Sequence, residues 1–136
     1  MAPVSVVPGW LAEAFGCLAD GDVDGWARIY APDAVHEFPF SPREAERRIE
    51  GRDAIAARLR EVFDAENGRL RFGSFDNVRV RDVGDEVIIE GDGHHQTAEG
   101  TPVEISCAWF ITRRDGQVAH FRDYMNPMTL AAHQLM

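Results

Sequence analysis

Apolar residues first recur at helical spacing. Trp10, Leu11, Ala14, Phe15 and Leu18 lie three and four positions apart, which predicts a helix from Pro8 to Ala19. Gly21 breaks it. A second helix is expected from about Asp22 or Asp24, with Trp26, Ile29 and Tyr30 on one side and Pro32 as its stop. "AVHEFPF" alternates and reads as a short strand, "SPREAERRIEG" as a polar loop. "RDAIAARLREVFDAE" is an amphipathic helix, with Ile55, Leu59, Val62 and Phe63 on its apolar face. After Asn67-Gly68 the period changes to two. Strands are expected at about 70–82, 86–98, 103–113 and 117–125, separated by the turns "VGDE", "EGTP" and "RRDG".

Helices followed by a hairpin-linked antiparallel sheet predict an α+β fold, with helices packed on one face of a curved sheet. A curled sheet closed by N-terminal helices, as in a cystatin-like α+β barrel, encloses a cone with an internal pocket. The 136 residues suit one domain spanning 1–136, and 45% apolar content is enough for a core.

Charge narrows the partners. Fourteen basic against 23 acidic residues give a net charge of −9, which argues against nucleic acid and anionic membranes. "RRIEGR" at 47–52 reads as a solvated loop leading into a helix rather than a basic patch. All 14 basic residues are arginine, so lysine Schiff-base chemistry and lysine-anchored pyridoxal phosphate are excluded. Cys17 and Cys107 form no CxxC motif and are expected as reduced thiols. No signal peptide or membrane span is evident, so a soluble cytoplasmic protein is expected.

Two strands carry the candidate chemistry. In "AHFRDYMNP", Ala119, Phe121, Asp123 and Met125 share one face, leaving Asp123 as the polar group on an apolar row. A carboxylate there costs free energy unless something pairs with it. In "VIIEGDGHHQT", Glu90, Asp92, His94 and Gln96 share one face; Ile89, Gly91, Gly93 and His95 share the other. Alternation leaves open whether the polar row faces the cone or water. In "VHEFPF", His36, Phe38 and Phe40 lie together. With Trp10, Tyr30, Phe110, Phe121 and Met125 they are candidate walls for a small apolar substrate. Trp10 is equally a core residue. His94 and His95 point to opposite faces and cannot share a metal, no dinucleotide fingerprint is complete, and no serine lies in a GxSxG context. No cofactor or metal is expected.

The segments "GDVDGWARIYAPDAVHEFPF", "EGRDAIAARL" and "HFRDYMNP", in this order and spacing, resemble the nuclear-transport-factor-2-like superfamily. Its enzymes include ketosteroid isomerases, limonene epoxide hydrolases and SnoaL-like polyketide cyclases. Ketosteroid isomerase residues do not carry over: the base position falls on Phe38 and the oxyanion positions on Ala14 and Ala108. Against the epoxide hydrolases, the water-activating base falls on Asp123 and the acid on Asp92. The bridging arginine falls on Glu90, and the water-holding tyrosine and asparagine on His36 and Phe38. The resemblance thus implies an Asp123–Asp92 base–acid pair, with His36 or His94 relaying charge, acting without a positioned water. Such a site would cyclise or isomerise a small, largely apolar natural-product intermediate. Epoxide opening and a non-catalytic binding module are the alternatives. The resemblance also implies a homodimer paired through the outer sheet face.

Overall fold

The computed structural model describes residues 7–41, 46–133 and 135. Helix α1 (Gly9–Ala19) and the short α2 (Val23–Ala27) come first, then β1 (Tyr30–Glu37), β2 (Arg48–Glu50) and α3 (Arg52–Phe63). Four long strands follow: β3 (Leu70–Asp82), β4 (Glu86–Thr97), β5 (Pro102–Arg114) and β6 (Gln117–Met125). Helix α4 (Pro127–Ala132) comes after them. The six strands form one open, curved sheet in the order β2-β1-β6-β5-β4-β3, with the N-terminal helices against its inner face. This is the expected α+β cone.

Local chemistry sets the corners. The two-residue connection between β5 and β6 is Asp115-Gly116, both at positive φ (55° and 81°), which matches the right-handed twist of the flanking strands. The Asp22 side chain accepts from the Gly25 N–H and caps α2. "NP" at the end of the motif around Asp123 starts α4: Asn126 Oδ1 accepts from the Met128 N–H, and Pro127 occupies the first turn, where no N–H is needed.

Three expectations change. Tyr30 does not extend α2; it opens β1, with Pro32 inside the strand where the pairing to β6 is irregular and its missing N–H breaks no ladder. The polar loop contains a strand, because Ile49 buries itself and Val35 to Glu37 supply an edge for Arg48–Glu50 to pair with. The sheet is antiparallel at every junction but one, since β1 runs parallel to β6. The β2–β5 segment supplies the long crossover that a parallel pair requires.

The inner face is continuous with the core. Leu11, Trp26, Tyr30, Ile55, Ile111 and Phe121 are buried in one cluster, and Leu70, Val103, Ile105 and Leu130 form a smaller one below it. Inner β4 positions are Val87, Ile89, Gly91, Gly93 and His95, all buried. Burial of Val87 and Ile89 fixes the register, and a strand period of two then sends Glu90, Asp92 and His94 outward. Cys17 and Cys107 are free thiols. No helix among the described residues is long and apolar enough to cross a membrane.

Candidate active site

Strand β6 carries Asp123 into the cone, where the residue is 8% exposed. Its neighbour across β5 is Trp109 and its nearest cation-forming group is His36, with Nε2 at 3.5 Å from Oδ2. Register places His36 beside Phe121, and the imidazole stacks between Phe121 (4.4 Å) and Phe38 (4.6 Å). Those two rings fix the plane of the imidazole.

Hydrogen bonds fix its edge. Tyr30 Oη lies 3.0 Å from His36 Nδ1, and the Trp26 Nε1–H donates to Tyr30 Oη at 3.3 Å. Burial, reinforced by the Asp123 charge, pushes the Tyr30 phenol far above its usual range, despite the opposing Trp26 hydrogen bond. The phenol therefore keeps its proton. With Trp26 donating to the phenol oxygen, a Tyr30 O–H directed at Nδ1 is the assignment that satisfies both groups for a neutral imidazole, and it leaves the ring proton on Nε2, facing Asp123. Trp26, Tyr30 and His36 thus form a chain of hydrogen bonds that ends 3.5 Å short of the Asp123 carboxylate.

That chain is incomplete at its working end. Asp123 Oδ1 and His36 Nε2 are both buried and have no hydrogen-bond partner among the described residues. Buried polar groups are rarely left this way, and a carboxylate oxygen least of all. Both residues line a chamber of about 120 Å³ whose other walls include Phe38, Trp109, Phe121 and Met125.

A second imidazole faces the same chamber. The Gly73 N–H donates to His95 Nδ1 at 2.9 Å, which puts the His95 proton on Nε2. Burial, and secondarily the charge of His94, lowers its pKa from 6.5 to about 4, so the ring is neutral at pH 7. Two glycines make the seat. A Cβ on Gly93 would lie 2.4 Å from His95 Nε2, and one on Gly73 would lie 1.9 Å from the His94 carbonyl oxygen. His95 is therefore a neutral N–H donor, held by backbone, in a largely apolar chamber.

The site residues expected from sequence divide sharply. His36, Phe38, Phe121, Asp123 and Met125 line the chamber. Tyr30 holds His36 from behind. Asp92 does not join Asp123: it lies on the outer face opposite Ser106, accepting from Ser106 Oγ at 2.7 Å and Asn77 Nδ2 at 2.8 Å. Those bonds hold its carboxyl below the usual range, so it is an ionised surface group and not an acid. Glu90 pairs with Arg79 at 3.7 Å on the same outer face. His94 sits there too, between Asp76 and Glu104, and the Asp76 hydrogen bond raises its pKa. Phe110 packs on Tyr124 outside the cone, and Phe40 is 58% exposed against that same Tyr124. Trp10 lies under the Arg113 guanidinium, away from the chamber.

His95, Trp109, Phe72, Phe75 and Cys107 also line the chamber, as do the charged Glu46 and Arg58, and none of these was singled out as a site residue by sequence. The usable signal for His95 was its place on the row of Ile89. Among the described residues no group of three or more His, Cys, Asp or Glu side chains is arranged to hold a metal ion.

A helix-wrapped open sheet with a buried carboxylate–imidazole pair inside defines a recognisable class. Residues 11–121 match the SnoaL-like domain, and the chain belongs to that family. It is 31% identical over 121 residues to an uncharacterised PhzA/B-like protein of Pseudomonas aeruginosa, covering 87% of this chain and 82% of that one. A Bacillus subtilis structure provisionally designated an isomerase is 26% identical, with a TM-score of 0.81 over 98% of this chain and 96% of its own. A Xanthomonas campestris structure provisionally designated a polyketide cyclase is 24% identical and shares the fold, with a TM-score of 0.71 over 92% and 93% of the two chains.

Proposed function

We propose that this protein is a cofactor-independent acid/base enzyme that moves a proton within a small, largely apolar substrate, isomerising or cyclising it. The observation that carries the reading is the buried Asp123 carboxylate, which lines a largely apolar chamber and whose Oδ1 has no hydrogen-bond partner among the described residues. A carboxylate oxygen left without a protein partner and open to the chamber is placed to accept a proton from a bound substrate.

The arrangement suits removal of a proton from carbon beside a carbonyl. Asp123 Oδ1 takes the proton, and the electron pair moves onto the carbonyl oxygen as an enolate. His95 Nε2–H, neutral and fixed, supplies a hydrogen bond to that developing charge. His36 Nε2 stands 3.5 Å from Asp123 Oδ2, close enough to stabilise the carboxylate electrostatically without a hydrogen bond to it. Return of the proton to another carbon completes an isomerisation; attack of the enolate carbon on a second carbonyl closes a ring. His95 thus takes the role that the sequence assigned to Asp92.

The positions that correspond to water holders in the epoxide hydrolases are an imidazole already committed to Tyr30 and the hydrocarbon ring of Phe38. Phe38 offers no hydrogen bond to a nucleophilic water, and of the imidazole only Nε2, beside Asp123, is left to bind one. Labelled oxygen from water appearing in the product would assign epoxide hydrolysis instead. The general test is exchange of α-protons for deuterium in simple ketones, followed by NMR.

Two variants bear on the reading at modest scale. Tyr30→Phe removes the donor to His36 Nδ1, a bond worth about 1 kcal/mol net, and is expected to slow exchange about fivefold to tenfold. Unchanged exchange would show that the phenol does not orient the imidazole. Asp92→Asn alters only the outer face and is expected to leave the rate within about twofold, as surface substitutions do. A loss of a hundredfold or more, about 2.7 kcal/mol, would return Asp92 to the mechanism.

A further inference from the structure

Between α1 and β3 lies a second space, an apolar cleft of about 310 Å³. Ala12, Phe15 and Gly16 of α1 form one side; Phe72, Phe75 and Val78 of β3 form the other, and no charged side chain lines it. Phe72, Phe75, Cys107 and Trp109 line both this cleft and the Asp123 chamber, so the two spaces are divided by side chains alone.

Size argues that they work together. A chamber of about 120 Å³ is smaller than the roughly 300 to 1,000 Å³ of small-molecule sites, and the cleft brings the joined space into that range. Polarity changes at the divide. The Trp109 Nε1–H is buried without a hydrogen-bond partner among the described residues, in a residue only 7% exposed. An unpaired donor of this kind is satisfied by a ligand that carries an acceptor at that point. Beyond it the cleft is mostly hydrocarbon, with Ser74 and the half-buried Cys107 thiol, which burial keeps protonated, as its other polar side chains. Gly16 leaves its side of the cleft open, since a Cβ there meets nothing within 4 Å.

We propose that the cleft is the apolar arm of the substrate site: it takes a hydrocarbon chain whose oxygen-bearing head lies between Trp109, His95 and Asp123. The substrate class is then a long-chain carbonyl compound rather than a compact ring alone. This inference rests on the reading of the Asp123 chamber as the reacting site.

Its test uses 2-alkanones from 2-pentanone to 2-undecanone, with binding followed by tryptophan fluorescence and exchange by NMR. Affinity is expected to rise about fourfold per added methylene until the cleft is full, as burial of hydrocarbon predicts. Gly16→Leu, which places an isobutyl group in the cleft without touching the Asp123 chamber, is expected to abolish that rise; Gly16→Ala is expected to keep it. Ala12→Leu fills the same cleft from the next turn and serves where Gly16→Leu does not fold. Absence of the length dependence in the parent protein, or its survival in both filled variants, overturns the proposal. Asp123→Asn separates the two readings. It should retain the length dependence while losing exchange, whereas exchange that survives in Asp123→Asn refutes the catalytic reading and leaves the cleft to be judged by binding alone.

Discussion

Asp123→Asn is expected to reduce ketone α-proton exchange by roughly a thousandfold, in line with the 10²- to 10⁴-fold contributions of positioned acid/base groups. The amide has the shape of the carboxylate and keeps an oxygen facing the His36 Nε2–H, but it has no basic lone pair to receive a proton. Stability should move the other way. Asp123 buries a carboxyl of which one oxygen has no hydrogen-bond partner among the described residues, and an amide is cheaper to desolvate than a carboxylate. The variant is therefore expected to melt at or above the temperature of the parent protein. A folded Asp123→Asn protein that exchanges at the parent rate removes Asp123 from the mechanism. A variant that instead fails to fold would mean that the carboxylate holds the cone together.

His95→Gln is expected to flatten the acid side of the stability profile. Folding lowers the pKa of His95 from 6.5 to about 4. Between those values the unfolded chain binds a proton at this position and the native chain does not, so stability falls as pH falls through the window. Above pH 6.5 both states are neutral and the contribution is complete. Below pH 4 both are protonated and the loss stops. The span corresponds to about 3 kcal/mol. Urea unfolding of the parent protein at pH 7.5 and pH 4 should show a drop that is smaller by about this amount in His95→Gln. Equal drops in the two proteins would mean that folding does not lower the His95 pKa, and the burial proposed to keep this donor neutral through the acid range would be refuted.

These two side chains were not equally visible beforehand. Asp123 stood out because an aspartate on the row of Phe121 and Met125 breaks an apolar pattern, and a broken pattern is information carried by one strand. His95 did not stand out because its row contains Gly91 and Gly93, which give alternation no apolar sign. The polar row of Asp92 looked the more chemical of the two for the same reason. Choosing between the rows required knowing that Val87 and Ile89 pack under the helices. That fact belongs to the assembled sheet.

The aromatic residues show the same limit. Phe38 and Phe121 enclose His36, Phe110 meets Tyr124 outside the cone, and the exposed Phe40 both touches that Tyr124 and lines a small recess with Phe38, Asp123 and Met125. Hydrophobicity alone does not distinguish them, because an apolar side chain gains from either the inner core or an outer aromatic contact. The short strand β2 escaped notice because its three residues alternate exposed, buried, exposed. A period needs more than one apolar position to be read.

By itself the sequence determined the α+β order, the ends of the four long strands to within a residue or two, and the inward carboxylate at Asp123. Each depends on local spacing, turn residues or a single row, all of which are written along the chain. Only the tertiary structure decided which row of β4 faces the cone, that Tyr30 and Trp26 stand behind His36, and that His95 shares the chamber with Asp123. Those relations join residues from β1, β4 and β6. They are set by strand register and by the helices covering one face, and one step of register would reverse every side chain on the strand.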